Sequence, residues 1–432
     1  MTPEELDNSI PLNTSEFWYR VDAPEIISTI WTVVYGADKY RPDSKQANHI
    51  RLLLSKLYTC HMSGYDCIGY SRYGVSYRLK NPKNVLQLSF RVTTAIIDAL
   101  YSAGYIEDWR GFTYADKSSR MRANASLIAL IEDVQRPIAL PLNHRIPDDS
   151  LFIKFKDHEK NRIPFVHDEF TLAWNQQLID YNRLLARSSL SLSCPIPERV
   201  NFDRRIVTRT FNDESLRLGG RFYGGWWLRI ESNYRKHILI NGEPTVEIDY
   251  KGIHVFLAYL MEGIDCFKLF DGDPYVIDAP DLGMEWRKVT KAVTLKCLNA
   301  KSRKEAAASI NSDMNLKEKE GKKNKKKIKR HPKYKPSQLV DMCIEKHPLI
   351  NHYFNSDCGK MLQFYDSHIA SQVIQHFLVS EIPILPVHDS FICQRRHADK
   401  LDQVMKNVVE TSYGLEPITK WNMVCEQSED VE

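Results

Sequence analysis

The stretch VEIDYKGIHVFLAYLMEG, residues 246–263, decides how the chain is read. Val246 and Ile248 read as a short buried strand, Asp249 and Tyr250 end it, and Gly252 opens a helix with Ile253, Phe256, Leu257 and Leu260 apolar. A carboxylate at the C-terminal end of a strand, just before a helix, points into a cleft. Buried there without a partner it is costly, so a cation or a base is expected beside it. Taken alone, such an Asp is more often a turn or capping residue. The reading therefore depends on what the rest of the chain supplies.

A second stretch, EIPILPVHDSFICQ (381–394), places apolar residues on both sides of His388-Asp389, which predicts a hairpin with the acidic pair at its tip. If that hairpin neighbours the first strand, Asp249 and Asp389 converge, and two carboxylates from distant segments suit a two-magnesium site. The third, WRKVTKAVTLKCLNA (286–300), sets Arg287, Lys291, Leu295 and Asn299 four residues apart on one helical face. Arg287 and Lys291 suit a triphosphate, although such a stripe is commonly a solvated face. In LRLGGRFYGGWW (216–227), four glycines bracket Arg221 and Tyr223, allowing close backbone approach to a ligand or, more plainly, a tight aromatic-packed turn. MLQFYDSHIASQVIQHF (361–377) predicts a helix with Gln363 and His368 able to face the cleft.

In this order the stretches resemble the palm and fingers of the family A polymerase superfamily, which comprises family A DNA polymerases and the single-subunit RNA polymerases of phages and mitochondria. The resemblance covers residues 200–300 and 360–425. It implies an α+β fold with a right-hand polymerase palm, an antiparallel sheet with helices, and fingers. EIDYKGIH resembles motif A, with Asp249 a metal ligand and Tyr250 offering its carbonyl; RKVTKAVTLKCLNA is similar to motif B and PVHDSF to motif C. The implied cofactor is a pair of Mg²⁺ ions, with Mn²⁺ as a substitute. The implied partners are nucleoside triphosphates and a DNA or RNA template. Arg287, Lys291, Tyr250, His254 and Asn299 would face the nucleotide; Arg221, Tyr223, His388 and Gln363 would face nucleic acid. The chain departs from the pattern at Asn299-Ala300, where an aromatic residue and Gly are usual, and at His254, where the DNA polymerases place Glu. Ser390 and the RxVTK form look like the RNA polymerases, whereas Asp249-Tyr250 looks like the DNA polymerases. Sugar choice stays open between ribonucleotides and mixed use. No proofreading segment is recognisable.

Around this region, residues 1–140 predict a helical module ending in a winged helix. FRVTTAIIDALYSAG (90–104) reads as a helix closed by Gly104, YIEDW and SRMRA as strands, and NASLIALIEDV as the next helix. Arg110, Lys117, Arg120 and Arg122 cluster on the wing, where they could meet a phosphate backbone. Residues 141–200 read as a linker and a thumb-like helix over 169–189, residues 201–300 as palm and fingers, and 336–432 as the rest of the palm. Between the last two, residues 301–335 hold 14 Lys or Arg against 4 Asp or Glu, on a chain with a formal net charge of +4. That insertion is expected to be flexible and to favour a polyanion.

The nine cysteines form no CxxC pair and read as reduced thiols. Nothing approaches the roughly 18 consecutive apolar residues of a membrane helix, and the acidic N-terminus does not read as a secretory signal. No membrane partner and a cytoplasmic location are expected. A compact polymerase joined to a winged helix would fit a mobile element. Two other readings stay open: a winged-helix replication initiator or regulator with a degenerate palm, and a template-independent terminal nucleotidyltransferase.

Overall fold

A computed structural model of the chain describes all residues except 1, 15–17, 38–39, 111–117, 135, 138, 142–145, 272, 280, 316–327 and 423–432. The fold is mixed α+β with largely antiparallel sheets. The chain forms two compact units, each assembled from three stretches: residues 1–145, 183–206 and 224–245 in the first, and 146–182, 207–223 and 246–432 in the second. Among the described residues no helix is long and apolar enough to cross a membrane. Of the eight described cysteines seven are buried, and all are free thiols.

In the first unit, helices Pro24–Tyr35, Lys45–Met62, Phe90–Ser102 and Ala125–Val134 pack with a four-stranded sheet. Its order is Ser9–Pro11, Cys67–Tyr70, Ser119–Ala123, Ile106–Trp109, and only the first pair is parallel. The expected order of helix, strand, strand and helix is therefore present, and Gly104 takes φ +73° after the helix, as a C-terminal cap requires. The expected role of the wing changes. Arg120 lies on the inner strand between Gly69 and Trp109 and is only 7% exposed. Its Nε donates to the Leu6 carbonyl at 3.1 Å and its guanidinium also holds Ser118. Gly69 leaves the space this guanidinium fills. Arg110 is paired with Asp98 and Asp108, both at 2.6 Å, and Arg122 with Glu107 at 2.8 Å. Arg110 and Arg122 are thus paired with acids of the same unit, and Arg120 is held on its inner strand by carbonyl and hydroxyl partners. Lys117 lies outside the described residues.

The second unit holds two sheets. One runs in the order Arg162–Ile163, Ile153–Lys156, Thr208–Asn212, Ser215–Tyr223. In the other, the hairpin Leu385–Val387 and Ser390–Gln394 lies beside the end of strand Glu243–Tyr250, whose last four residues also pair with Thr419–Asn422. The long helix Gly359–Val379 buries Leu362, Ile369, Val373 and Phe377 within this unit. Helix Glu169–Arg187 is present as expected, but Leu172 is 52% exposed while Leu178, Ile179 and Leu185 are buried. Within the basic insertion Arg303–Met314 is a helix capped by the Ser302 hydroxyl, with Ala306, Ile310 and Met314 buried. Three apolar positions at helical spacing outweigh the charge around them. Its lysine-richest part, 316–327, lies outside the described residues.

Two glycines shape the region that matters most. In strand Ser215–Tyr223 the register shifts opposite Phe211, leaving Gly220 as an extra residue at φ +80°. A Cβ there would lie 2.8 Å from the Phe211 ring and 2.8 Å from the Ser367 hydroxyl. The glycines of 216–227 therefore serve packing within the protein at Gly220. Gly220→Ala is expected to lower the melting temperature clearly more than Gly263→Ala, which has a similar φ of +70° but open space around it. Thermal unfolding of the two variants followed by circular dichroism checks this, and equal losses would show that crowding at the bulge is unimportant.

Candidate active site

The strand carrying Asp249 and the hairpin carrying Asp389 meet at their tips. The Tyr250 N–H donates to the Asp389 carbonyl at 3.3 Å, and the Ser390 hydroxyl donates to Glu247 at 2.6 Å. The hairpin turn is the two residues His388-Asp389, with His388 at φ +62°, the sign that tight two-residue hairpins need at their first central position. The Tyr250 hydroxyl donates to the Met405 carbonyl at 2.6 Å, so this side chain is an anchor in the core. Gly252, at φ +67°, begins the next helix, and the Tyr275 ring fills the space where a Cβ would sit.

Burial, the neighbouring Asp389 and, less, Glu247 push the Asp249 carboxyl up to about 7, while Lys291 and Lys420 pull it down. Lys420 is the register partner of Asp249 across the strand pair. Asp249 and Asp389 are thus close enough to feel each other strongly, as the sequence predicts. Among the described residues no group of three or more His, Cys, Asp or Glu side chains is arranged to hold a metal. A cation here would take the two carboxylates and complete its shell with carbonyl, water or phosphate oxygens, a donor set that suits Mg²⁺. Burial raises Asp249 most, and the Asp389 charge adds to it; a cation would relieve both.

Helix Arg287–Asn299 supplies the cations. The Thr290 hydroxyl donates to the Tyr275 carbonyl at 2.7 Å and pins the helix to the preceding loop. Arg287 and Lys291 each lie 5.5 Å from the centre of the Tyr275 ring, and Arg287 is also paired with Asp273. Asn299 sits two turns beyond Lys291, about 12 Å along the helix. It is exposed, and its amide donates to the Leu295 carbonyl at 2.6 Å. Tyr223 meets His388 edge to face at 5.6 Å, which places its ring next to the residue before Asp389.

Arg221 and His254 converge on a residue that sequence reasoning missed. Asp366, 3% exposed on helix Gly359–Val379, accepts from Arg221 Nε at 3.0 and 3.1 Å, and His254 Nε2 lies 2.9 Å from the same carboxylate. His254 Nε2 is also 2.9 Å from the Arg221 guanidinium. Gln363 is half-buried one turn before Asp366, and His368 is half-buried just after it. An acid at a position flanked by buried Leu362, Ile369 and Ala370 was the available signal. Asp273 and Tyr275, in the loop before the cationic helix, carried no pattern that stood out. Arg110, Arg120 and Arg122 belong to the other unit.

Two outcomes follow. A carboxylate raised by burial and a like charge destabilises the fold increasingly as pH climbs from its unfolded value, near 4, to about 7, and steadily above that. Asp249→Asn should therefore stabilise the metal-free protein by about 1–3 kcal/mol at pH 8, discounting for partial solvent access, and by almost nothing at pH 4; chemical denaturation in a chelator measures this. Removing a buried partner strands its cation, so Asp366→Ala should cost about 3–5 kcal/mol, read in the same way.

The sequence matches no protein-family model, and no curated protein matches it.

Proposed function

We propose that the second unit is a nucleotidyltransferase that extends a nucleic acid strand on a template, using divalent metal ions held by Asp249 and Asp389. The observation that carries this reading is the convergence of the two carboxylates beside Lys291, with Asp249 held at about 7 by burial and by Asp389. That arrangement favours a divalent cation over a bare pair of anions. The order of the motif-like stretches, described above as resembling the family A superfamily, supports the same reading.

In the proposed reaction the 3′-hydroxyl oxygen of a primer strand forms a bond to the α-phosphorus of a nucleoside triphosphate. The bond from that phosphorus to the bridging oxygen breaks, pyrophosphate leaves, and the hydroxyl proton is lost. Two Mg²⁺ ions would stabilise the attacking and leaving oxygens. Arg287 and Lys291, set about one turn apart and steadied by Tyr275, meet the β- and γ-phosphates. Asp273 orients the Arg287 fork from behind. Arg221, locked by Asp366 at the same carboxylate that engages His254, presents a fixed cation to strand or nucleotide. Tyr223 packs against His388 at the hairpin tip, and these rings meet the primer terminus. Tyr250 contributes through its backbone, since its side chain is committed to the core.

The test is incorporation of each nucleotide set on a primed template with Mg²⁺. Asp249→Asn and Asp389→Asn should each reduce incorporation by at least about 10³-fold, and Lys291→Ala should raise KM for the nucleotide or lower kcat by about 10²-fold. Binding of the template with no incorporation by the unaltered protein would favour the initiator or regulator. Incorporation indifferent to template sequence would favour the terminal transferase.

A further inference from the structure

The surface of the first unit between strand Cys67–Tyr70 and helix Phe90–Ser102 is unlike an ordinary polar loop. Residues 71–91 contain five cations, Arg72, Arg78, Lys80, Lys83 and Arg91, and neither Asp nor Glu. Arg72 is committed to Asp98. The other four are exposed, and none is ion-paired with a described residue. Between them, Tyr73, Val75, Leu79 and Val85 are 63%, 59%, 78% and 56% exposed, so apolar surface and positive charge alternate along one segment.

The segment presents these groups on a braced frame. Asn84, 4% exposed, donates to the carbonyls of Tyr77 and Leu88 at 3.0 and 3.1 Å and accepts from the Leu88 N–H at 2.9 Å. The Tyr77 hydroxyl donates to the Ser71 carbonyl at 2.6 Å, the Leu86 N–H to Asn13 at 2.9 Å, and the Ser89 N–H to His49 Nε2 at 2.8 Å. Holding exposed apolar and cationic groups in place removes ordering cost from a binding event. A cavity of about 600 Å³ opens beside the frame; its surface is mainly apolar, with Leu12, Val85, Tyr70 and Tyr77 among its lining residues, and Lys83 and Arg120 are the cations there, with no carboxylate among its described lining residues. That volume is ample for a small ligand of nucleotide size.

We infer that residues 71–91 form a binding surface for single-stranded nucleic acid. Arg78, Lys80, Lys83 and Arg91 follow successive phosphates, Tyr73 offers a ring on which a base stacks, and the cavity accepts one base turned off the strand. An anionic membrane is the other polyanion to weigh. An amphipathic helix is the usual way to seat apolar side chains on a membrane surface, whereas this segment has a single short helical turn, Gly74–Tyr77, beside a concave site of ligand size. The inference rests on the first unit alone and does not depend on the carboxylates of the second.

The experiment uses the full chain, without nucleotide, and a labelled oligothymidylate whose binding is followed by fluorescence anisotropy across a salt series. The triple variant Arg78→Ala/Lys80→Ala/Lys83→Ala should lower the slope of log affinity against log salt by about 2, since each phosphate contact contributes about 0.7 on a single strand. Tyr73→Ala should weaken binding about tenfold and leave the slope unchanged. Melting temperatures equal to that of the parent protein exclude misfolding. Unchanged affinity and slope in the triple variant overturn the inference, as does loss of binding to phosphatidylserine vesicles with oligonucleotide binding intact. Because Asp249→Asn should bind the oligonucleotide normally while failing to extend a primer, failure of the surface and failure of the catalytic reading are distinguishable.

Discussion

The hydrogen bond from the Tyr250 N–H to the Asp389 carbonyl joins the end of one strand to the tip of a hairpin far along the chain, and with it two carboxylates are held together. Like charges in a half-buried cleft repel, so the backbone beneath them must be secured from several directions. Ser390 bonds Glu247 on one side, the Tyr250 hydroxyl reaches Met405 on another, and Thr419–Asn422 pairs along the free edge of the strand. Burial and, after it, the neighbouring Asp389 raise the Asp249 carboxyl. Such a pair is poised to take up positive charge, and Lys291 and Lys420 already supply some of it at Asp249.

The surrounding frame works by placing cations whose own charges are already managed. Arg221 would be costly at its depth without Asp366, and Asp366 would be costly without Arg221 and His254. The bulge at Gly220 brings the strand against helix Gly359–Val379, which is how Arg221 and Asp366 meet. Arg209 secures that bulge from beneath: its Nε donates to the Gly220 carbonyl at 2.9 Å, and it lies 4.9–5.2 Å from the rings of Trp174, Phe211 and Phe222. Burial pulls its guanidinium down to about 9. The aromatic faces offset part of the lost hydration.

Charge in the first unit follows the opposite logic. On the wing, each described arginine has an acidic or carbonyl partner within the unit. On the loop over 71–91 four cations have no ion-pair partner among the described residues, and Asn84 braces the backbone beneath them. Counting arginines could not distinguish the two places. Where the acids lie decides it.

Much of the candidate site was legible before folding, because local patterns carry it. Strand-Asp-Gly-helix periodicity located Asp249, the apolar runs flanking His388-Asp389 predicted a hairpin, and four-residue spacing put Arg287 and Lys291 on one helical face. The helices read over 90–104 and 169–189 followed from the same periodicity and end at Ser102 and Arg187 in the structure. Partners were not legible, since a hydrogen bond between residues remote in sequence leaves no local trace. Asp366 looked like one polar residue in a helix, Asp273 and Tyr275 like part of a loop, and Arg120 like an exposed wing cation. The sequence by itself determined which residues could form two acidic tips and a cationic helix, for those depend on short-range periodicity and turn geometry. Tertiary structure alone decided that the acids meet, that Arg221 is held by Asp366, and that Arg120 is buried, because each depends on long-range packing and on which charges are left without a neighbour.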